Sequence, residues 1–162
     1  MSDASSAEIA VQRRDWKTEH LDIYLASGGV EGHIVDVSDI GGHPFTTTLL
    51  LRYTGRKSGR IIITPLIYGD IEGEVVIVAS KGGADHHPAW YLNVRESPDI
   101  EFQIATQAFR ASWREPSAEE RPRVWDFMTR LFPPYVGYQA STDREIPLVM
   151  LRPLAPIDAF RA

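Results

Sequence analysis

"FTTTLLLRYTGRKSGRIIIT", residues 45–64, sets two runs of β-branched and aliphatic residues on either side of a turn made of glycine, serine and cations. Such runs suit a pleated, half-buried surface, and the glycines supply the reversal, so the stretch predicts a β-hairpin. The same texture continues outward. "EVVIVAS" (74–80), "IEFQIATQAFRASW" (100–113) and a last strand "IPLVMLRP" (146–153) are short and apolar, with "DIEG" (70–73) as a further turn. Together they predict an antiparallel meander. "EVVIVAS" is apolar on both faces, which suits a barrel filled inside and covered outside by helices or a partner subunit.

Helical patterns interrupt the strands. "DWKTEHLDIYLASGG" (15–29) places Leu21, Tyr24 and Leu25 on one stripe and ends in Gly28 and Gly29, a helix with a left-handed cap. Residues 29–44 read as a glycine-rich loop with room for a short strand. "PAWYLNVRE" (88–96) starts on a proline suited to the first turn and is stopped by Pro98. A second barrel-flanking helix is expected from about Ser117. There "SAEE" resembles a capping box, and Val124, Phe127, Met128 and Leu131 share a face. Pro122 fits poorly inside such a helix. "PPYVGYQASTDRE" (133–145) reads as an aromatic loop. The class is therefore α+β, mainly β, with an N-terminal helix and two helices beside the strands. Residues 1–14 are expected to be a tail, and 15–162 a single domain.

The 162 residues carry 17 basic and 22 acidic side chains, a net charge of −5, which argues against a broad nucleic-acid footprint. Any anion site must be local. With no cysteine, disulfides, thiolate metal sites and cysteine nucleophiles are excluded. No apolar run approaches the roughly 18 residues of a membrane span, and the first residues lack the apolar stretch of a signal peptide. A cytoplasmic location is expected, with peripheral contact at a membrane as the other option.

Three clusters could carry chemistry. In the first, Arg56, Lys57, Ser58 and Arg60 sit with two glycines in a turn whose backbone N–H groups and cations could hold a phosphate. A solvated hairpin tip has the same composition, so the residues alone leave both readings open. In the second, alternation carries Ser80 to the end of an apolar row. Lys81, Gly82 and Gly83 follow at the exit, ahead of a helix N-terminus near Pro88. A planar anionic ligand would suit these residue types, and so would an ordinary strand-to-helix connection with Trp90 in the core. His86 and His87 are adjacent and so point apart, with no partner one helical turn on, and no metal site is expected. In the third, Tyr135 and Tyr138 could close a pocket with phenol donors, or only pack the loop down. Asp143, Arg144 and Glu145 read as structural.

In order and spacing, "TGRKSG…TPLIYG", "VIVASKGGADHHPAWYLN", "SPDIEFQ" and "FPPYVGYQASTDREIPLVML" resemble the deazaflavin-dependent nitroreductase family, whose coenzyme is F420. The resemblance spans most of residues 45–152. It implies a split β-barrel of the kind shared with proteins that bind flavin mononucleotide (FMN). The implied activity is hydride transfer from reduced F420 to a quinone, enone or nitroaromatic acceptor. It further implies that Arg56, Lys57, Ser58, Arg60 and Thr64 contact the phosphate and acidic tail. Pro65, Leu66, Ser80, Lys81, Gly82 and Ala84 would lie along the ring, with Trp90 and Asn93 beside them. Tyr138 and Tyr135 would face the acceptor as catalytic groups. Arg52 and Tyr53 depart from the small threonines usual in the family. An FMN-dependent oxidoreductase on the same barrel and a non-catalytic F420-binding module are the alternatives, and a homodimer is compatible with exposed apolar strands.

Overall fold

The computed structural model describes residues 18–97 and 99–161. The expected tail at 1–14, the first residues of the N-terminal helix and the stop at Pro98 lie outside the described residues. A helix at 18–26 (α1) leads to a two-residue strand, β1 (Ile34–Val35), and then to the hairpin β2 (Thr46–Thr54) and β3 (Ile61–Ile71). β4 (Glu74–Val78) and α2 (Ala89–Glu96) follow, then the hairpin β5 (Ile100–Ile104) and β6 (Gln107–Arg114). Two helices, α3 (Arg121–Leu131) and α4 (Pro134–Ala140), precede the last strand, β7 (Leu148–Ile157).

Every pairing is antiparallel, in the order β1-β2-β3-β4-β7-β6-β5, and β5 also pairs with β2. That last pairing closes β2 to β7 into a six-stranded barrel. β4 shows why the chain can fill both sides of its wall. Val75 and Ile77 join the cluster that holds Leu49, Leu51, Phe102, Val149 and Leu151, with Trp90, Tyr91 and Val94 of α2. Val76 and Val78 belong instead to the layer under α3 and α4, with Val124, Met128, Phe132 and Tyr135. The two-faced strand expected from "EVVIVAS" is thus covered by helices. α1 closes a third, smaller cluster: Tyr24 is fully buried with Leu50, Ala108 and Phe160. Its hydroxyl donates to Thr48 O at 3.0 Å and accepts from Ala105 N–H at 2.9 Å. Burial pushes this phenol up to about 12.

Several boundaries differ from the sequence reading. β3 runs on through Pro65 to Ile71, and β7 through Pro153 and Pro156 to Ile157. Proline is tolerated where only one strand edge is hydrogen-bonded. Pro65 pairs only toward β2, because β4 engages β3 from Tyr68 onward. Pro153 and Pro156 lie beyond Leu151, where β4 has ended. "IEFQIATQAFRASW" is two strands, reversing at Ala105, whose φ is +51°. The capping box is present, with Ser117 N–H on Glu120 Oε1 and Glu120 N–H on Ser117 Oγ, both at 3.1 Å. The helix proper nevertheless begins at Arg121, which puts Pro122 in its first turn and removes the misfit.

The segment expected as an aromatic loop needs correction, because α4 forms there. Pro133 and Pro134 end α3 but occupy the N-cap and first position of the next helix, where a missing N–H costs nothing. Three helices, rather than two, therefore follow α1.

Candidate functional site

The turn between β2 and β3 is closed by its own backbone. Gly55 N–H donates to Arg60 O and Gly59 N–H to Gly55 O, both at 2.8 Å. Ser58 Oγ accepts from Arg60 N–H at 3.1 Å, so this serine shapes the turn. Asn93, buried on α2, reaches the turn through its amide oxygen. It accepts from Arg56 N–H at 2.9 Å and from Arg56 Nη1 at 3.1 Å. Arg56, Lys57 and Arg60 have no carboxylate partner among the described residues. Arg52 is different, since it forms a two-bond pair with Glu101 at 2.9 and 3.0 Å and lies 4.0 Å from the Phe160 ring centre. This cation is committed to the barrel wall.

At the other end of α2, β4 opens at Ser80 into a single 3-10 turn, Lys81–Gly83, before Pro88 caps the helix. Ser80 is nearly buried, whereas Lys81 and Gly82 are exposed. Three successive residues have left-handed backbone: Lys81 at φ +45°, Gly82 at +62° and Gly83 at +83°. Lysine rarely adopts that region, so the bend is strained at Lys81. The N–H groups of Ser80, Lys81 and Gly82 form no hydrogen bond within the described residues. Lys81 Nζ is 2.6 Å from His86 Nε2, and His86 Nδ1 is 2.9 Å from Asp85 Oδ1. An ammonium only donates, so His86 accepts from it and donates to Asp85, whose carboxyl that bond holds below its usual range.

Gly83 sets how closely α4 approaches. A methyl group there would stand 2.7 Å from Tyr138 O, 2.9 Å from Tyr138 Cα and 2.2 Å from Ser141 Oγ. Only a glycine admits both this contact and the positive φ. The three sequence clusters are linked through the fold: Asn93 ties the turn to α2, α2 follows the bend after residues 85–88, and the bend rests on α4.

The remaining candidates divide by environment. Pro65 and Leu66 are half-buried on β3, and Ala84 is half-buried after the bend. Thr64 Oγ1 lies 2.9 Å from the Tyr53 hydroxyl, and the buried Tyr53 fills space inside the barrel. Trp90 is 6% exposed and belongs to the barrel core, which leaves it little surface for a ligand. Tyr135 is 4% exposed between Phe132 and Trp125, and burial pushes its phenol well above the ordinary tyrosine range. Tyr138 is half-buried, 6.2 Å from the Tyr135 ring. A depression of about 580 Å3 beside Phe45 and Phe127 includes no residue of the turn or the bend, whereas one of about 660 Å3 beside Trp125 and Gln139 is lined also by Arg144, which contacts the bend.

Arg144 was not among the sequence candidates. Its Nε donates to Ala84 O at 2.7 Å, Nη1 to Ala79 O at 3.2 Å and Nη2 to Ser80 O at 2.7 Å. Nη1 also meets His87 Nδ1 at 3.1 Å, which makes that nitrogen an acceptor and the ring neutral. Burial and then the Arg144 charge hold His87 below its usual value. The signal for Arg144 is invisible locally, because its partners lie some 60 residues away.

Residues 16–153 match the family model described as F420H(2)-dependent quinone reductase. An F420H(2)-dependent quinone reductase of Mycobacterium tuberculosis is 33% identical over 135 residues, which is 82% of this chain and 86% of that protein. A solved F420-H2 dependent reductase is 37% identical with a TM-score of 0.60, over 65% of this chain and 93% of that one. Another solved structure, described as a domain-swapped dimer, is 33% identical with a TM-score of 0.63, over 86% of this chain and 99% of that one. With the family model matched across the barrel, the turn, the bend and α4, the chain belongs to the F420H(2)-dependent quinone reductase family.

Proposed function

We propose that Arg56, Lys57 and Arg60 grip the phosphate and acidic tail of coenzyme F420 while the Ser80–Ala84 bend lies along its ring. The chain would then act as a reductase on a small conjugated acceptor such as a quinone, an enone or a nitroaromatic. The observation that carries this reading is the set of three turn cations without carboxylate partners among the described residues, with Arg56 joined through Asn93 to the helix that follows the bend. Such a donor set fits a polyanion with a flat ring. The cations offer charge-assisted bonds, and the N–H groups of Ser80, Lys81 and Gly82 offer donors to the ring's polar edge.

Reduced F420, when bound, supplies a hydride to the acceptor. The protein's part is to hold, orient and furnish a proton. We assign the acceptor-facing role to Tyr138, the member of the tyrosine pair with surface to offer, as orienting donor and proton source. Tyr135 backs it from the core. Asn93 and Thr64 act through Arg56 and Tyr53, their hydrogen-bond partners. Ser58 keeps the turn closed.

Family membership favours F420 over FMN, whose phosphate could also use the turn; protein purified with tightly held yellow flavin would reverse that choice. We favour a homodimer, because β3 is paired on one edge only over residues 61–67 and Ile61 is 72% exposed. Light scattering on the purified chain reads its mass directly. Among the described residues no helix is long and apolar enough to cross a membrane.

The test of function is a fluorescence titration of F420, followed by loss of reduced coenzyme on adding a quinone, a cyclic enone or a nitrofuran. Saturable binding with acceptor-dependent oxidation supports the reading. Binding without oxidation by any acceptor would leave a coenzyme-binding module.

A further inference from the structure

We propose that Arg144 is a positioning residue, whose guanidinium holds the Ser80–Ala84 bend in the strained shape that faces the coenzyme. The inference rests on the F420 reading above and assigns the bend a support that its own sequence does not contain.

A run of left-handed residues beginning at a lysine does not persist unless its surroundings over-determine it. Arg144 is placed to do so. Its Nε, Nη1 and Nη2 all donate into the carbonyls of one short segment, at Ala79, Ser80 and Ala84. Ser141, three residues earlier, lies 3.1 Å from Gly83 O through its hydroxyl. The connection after α4 therefore engages the acceptors of the bend on one side. The backbone N–H groups of Ser80, Lys81 and Gly82 remain without a partner among the described residues.

An arginine can satisfy several carbonyls at once because its donors are fixed in a plane, whereas a lysine reaches them singly. No carboxylate pairs with Arg144 among the described residues. An arginine kept only for ion pairing would have one. The link also fastens the ring-side bend to the segment that carries Tyr138, so a shift in one displaces the other.

The test compares Arg144→Lys and Arg144→Met with wild type and with Arg123→Met, a change at an exposed ion pair remote from the bend. Readouts are F420 affinity by fluorescence, the amide NMR signals of Gly82 and Gly83 without coenzyme, and thermal midpoint. Expected for Arg144→Lys is a loss of F420 affinity of about 10- to 100-fold with displaced glycine signals. Millimolar methylguanidinium should recover affinity in Arg144→Met but not in Arg123→Met. If Arg144→Met does not fold, Arg144→Lys alone decides. Wild-type affinity in Arg144→Lys, or unmoved glycine signals, overturns the inference while leaving F420 binding intact. Failure of wild type to bind F420 overturns the functional reading, and the inference with it.

Discussion

Two groups of cations in this molecule are placed in opposite surroundings. Arg114, on β6, donates to Glu74 at 2.8 and 2.9 Å and to Glu120 at 2.9 and 3.0 Å, with Arg152 at 4.0 Å from Glu74. That network ties the entry to α3 onto the barrel. Arg56, Lys57 and Arg60 meet no carboxylate among the described residues, and the bend at Lys81 leaves N–H groups unbonded. Lys57 and Arg60 are exposed and Arg56 is half-buried, so these cations stand open to an anion from outside the chain. One region has satisfied its polar groups internally, and the other keeps the groups that the proposed function assigns to the coenzyme.

The contrast can be broken most severely at Gly83. Gly83→Ala forces a methyl group into Tyr138 and Ser141 at a left-handed φ, so F420 affinity should fall by about 100-fold or more. Circular dichroism checks that the barrel persists, and unchanged affinity would show that the bend is not part of the site. Next comes Arg56→Gln with Lys57→Gln and Arg60→Gln. Exposed charges contribute modestly one by one, and three together should weaken F420 binding by about 10- to 100-fold. The thermal midpoint should hardly move, and wild-type affinity should decline with added salt. Tyr138→Phe should lower turnover about tenfold while leaving coenzyme affinity nearly constant, as steady-state and binding measurements would show.

The smallest effect belongs to the paired region. Arg114→Met should lower the midpoint by roughly 2–4 °C near neutral pH without touching F420 affinity. Bonds from Arg114 hold Glu120 down to about 2 and Glu74 below its usual range. A depressed carboxylate stabilises the fold above its unfolded value and loses that contribution as pH falls toward its folded one. The difference between wild type and Arg114→Met should therefore narrow as pH drops from 4.5 toward about 2. A pH-independent gap would assign the loss to packing of the arginine stem.

Much of this was legible locally. The β-branched, aliphatic runs of "FTTTLLLRYT" and "EVVIVAS" announced the meander, the apolar character of both faces of "EVVIVAS" announced its two-faced wall, and the turn and bend stood out by composition. What escaped depended on where a residue sat in the assembled fold. Pro65, Pro153 and Pro156 look like strand breakers until the barrel shows which edges are unpaired. Pro133 and Pro134 look like the end of regular structure, yet they start α4. Trp90 and Tyr135 matched family positions, but their side chains fill the core. Arg144 has no local signature at all, since its partners are carbonyls supplied by another part of the chain.

The most direct measurement is an amide NMR titration of the chain with F420. The account predicts saturable shifts in two sets, Arg56–Arg60 and Ser80–Ala84, with one shared affinity. Shifts at only one set, or a ligand seated instead beside Phe45 and Phe127, would contradict it.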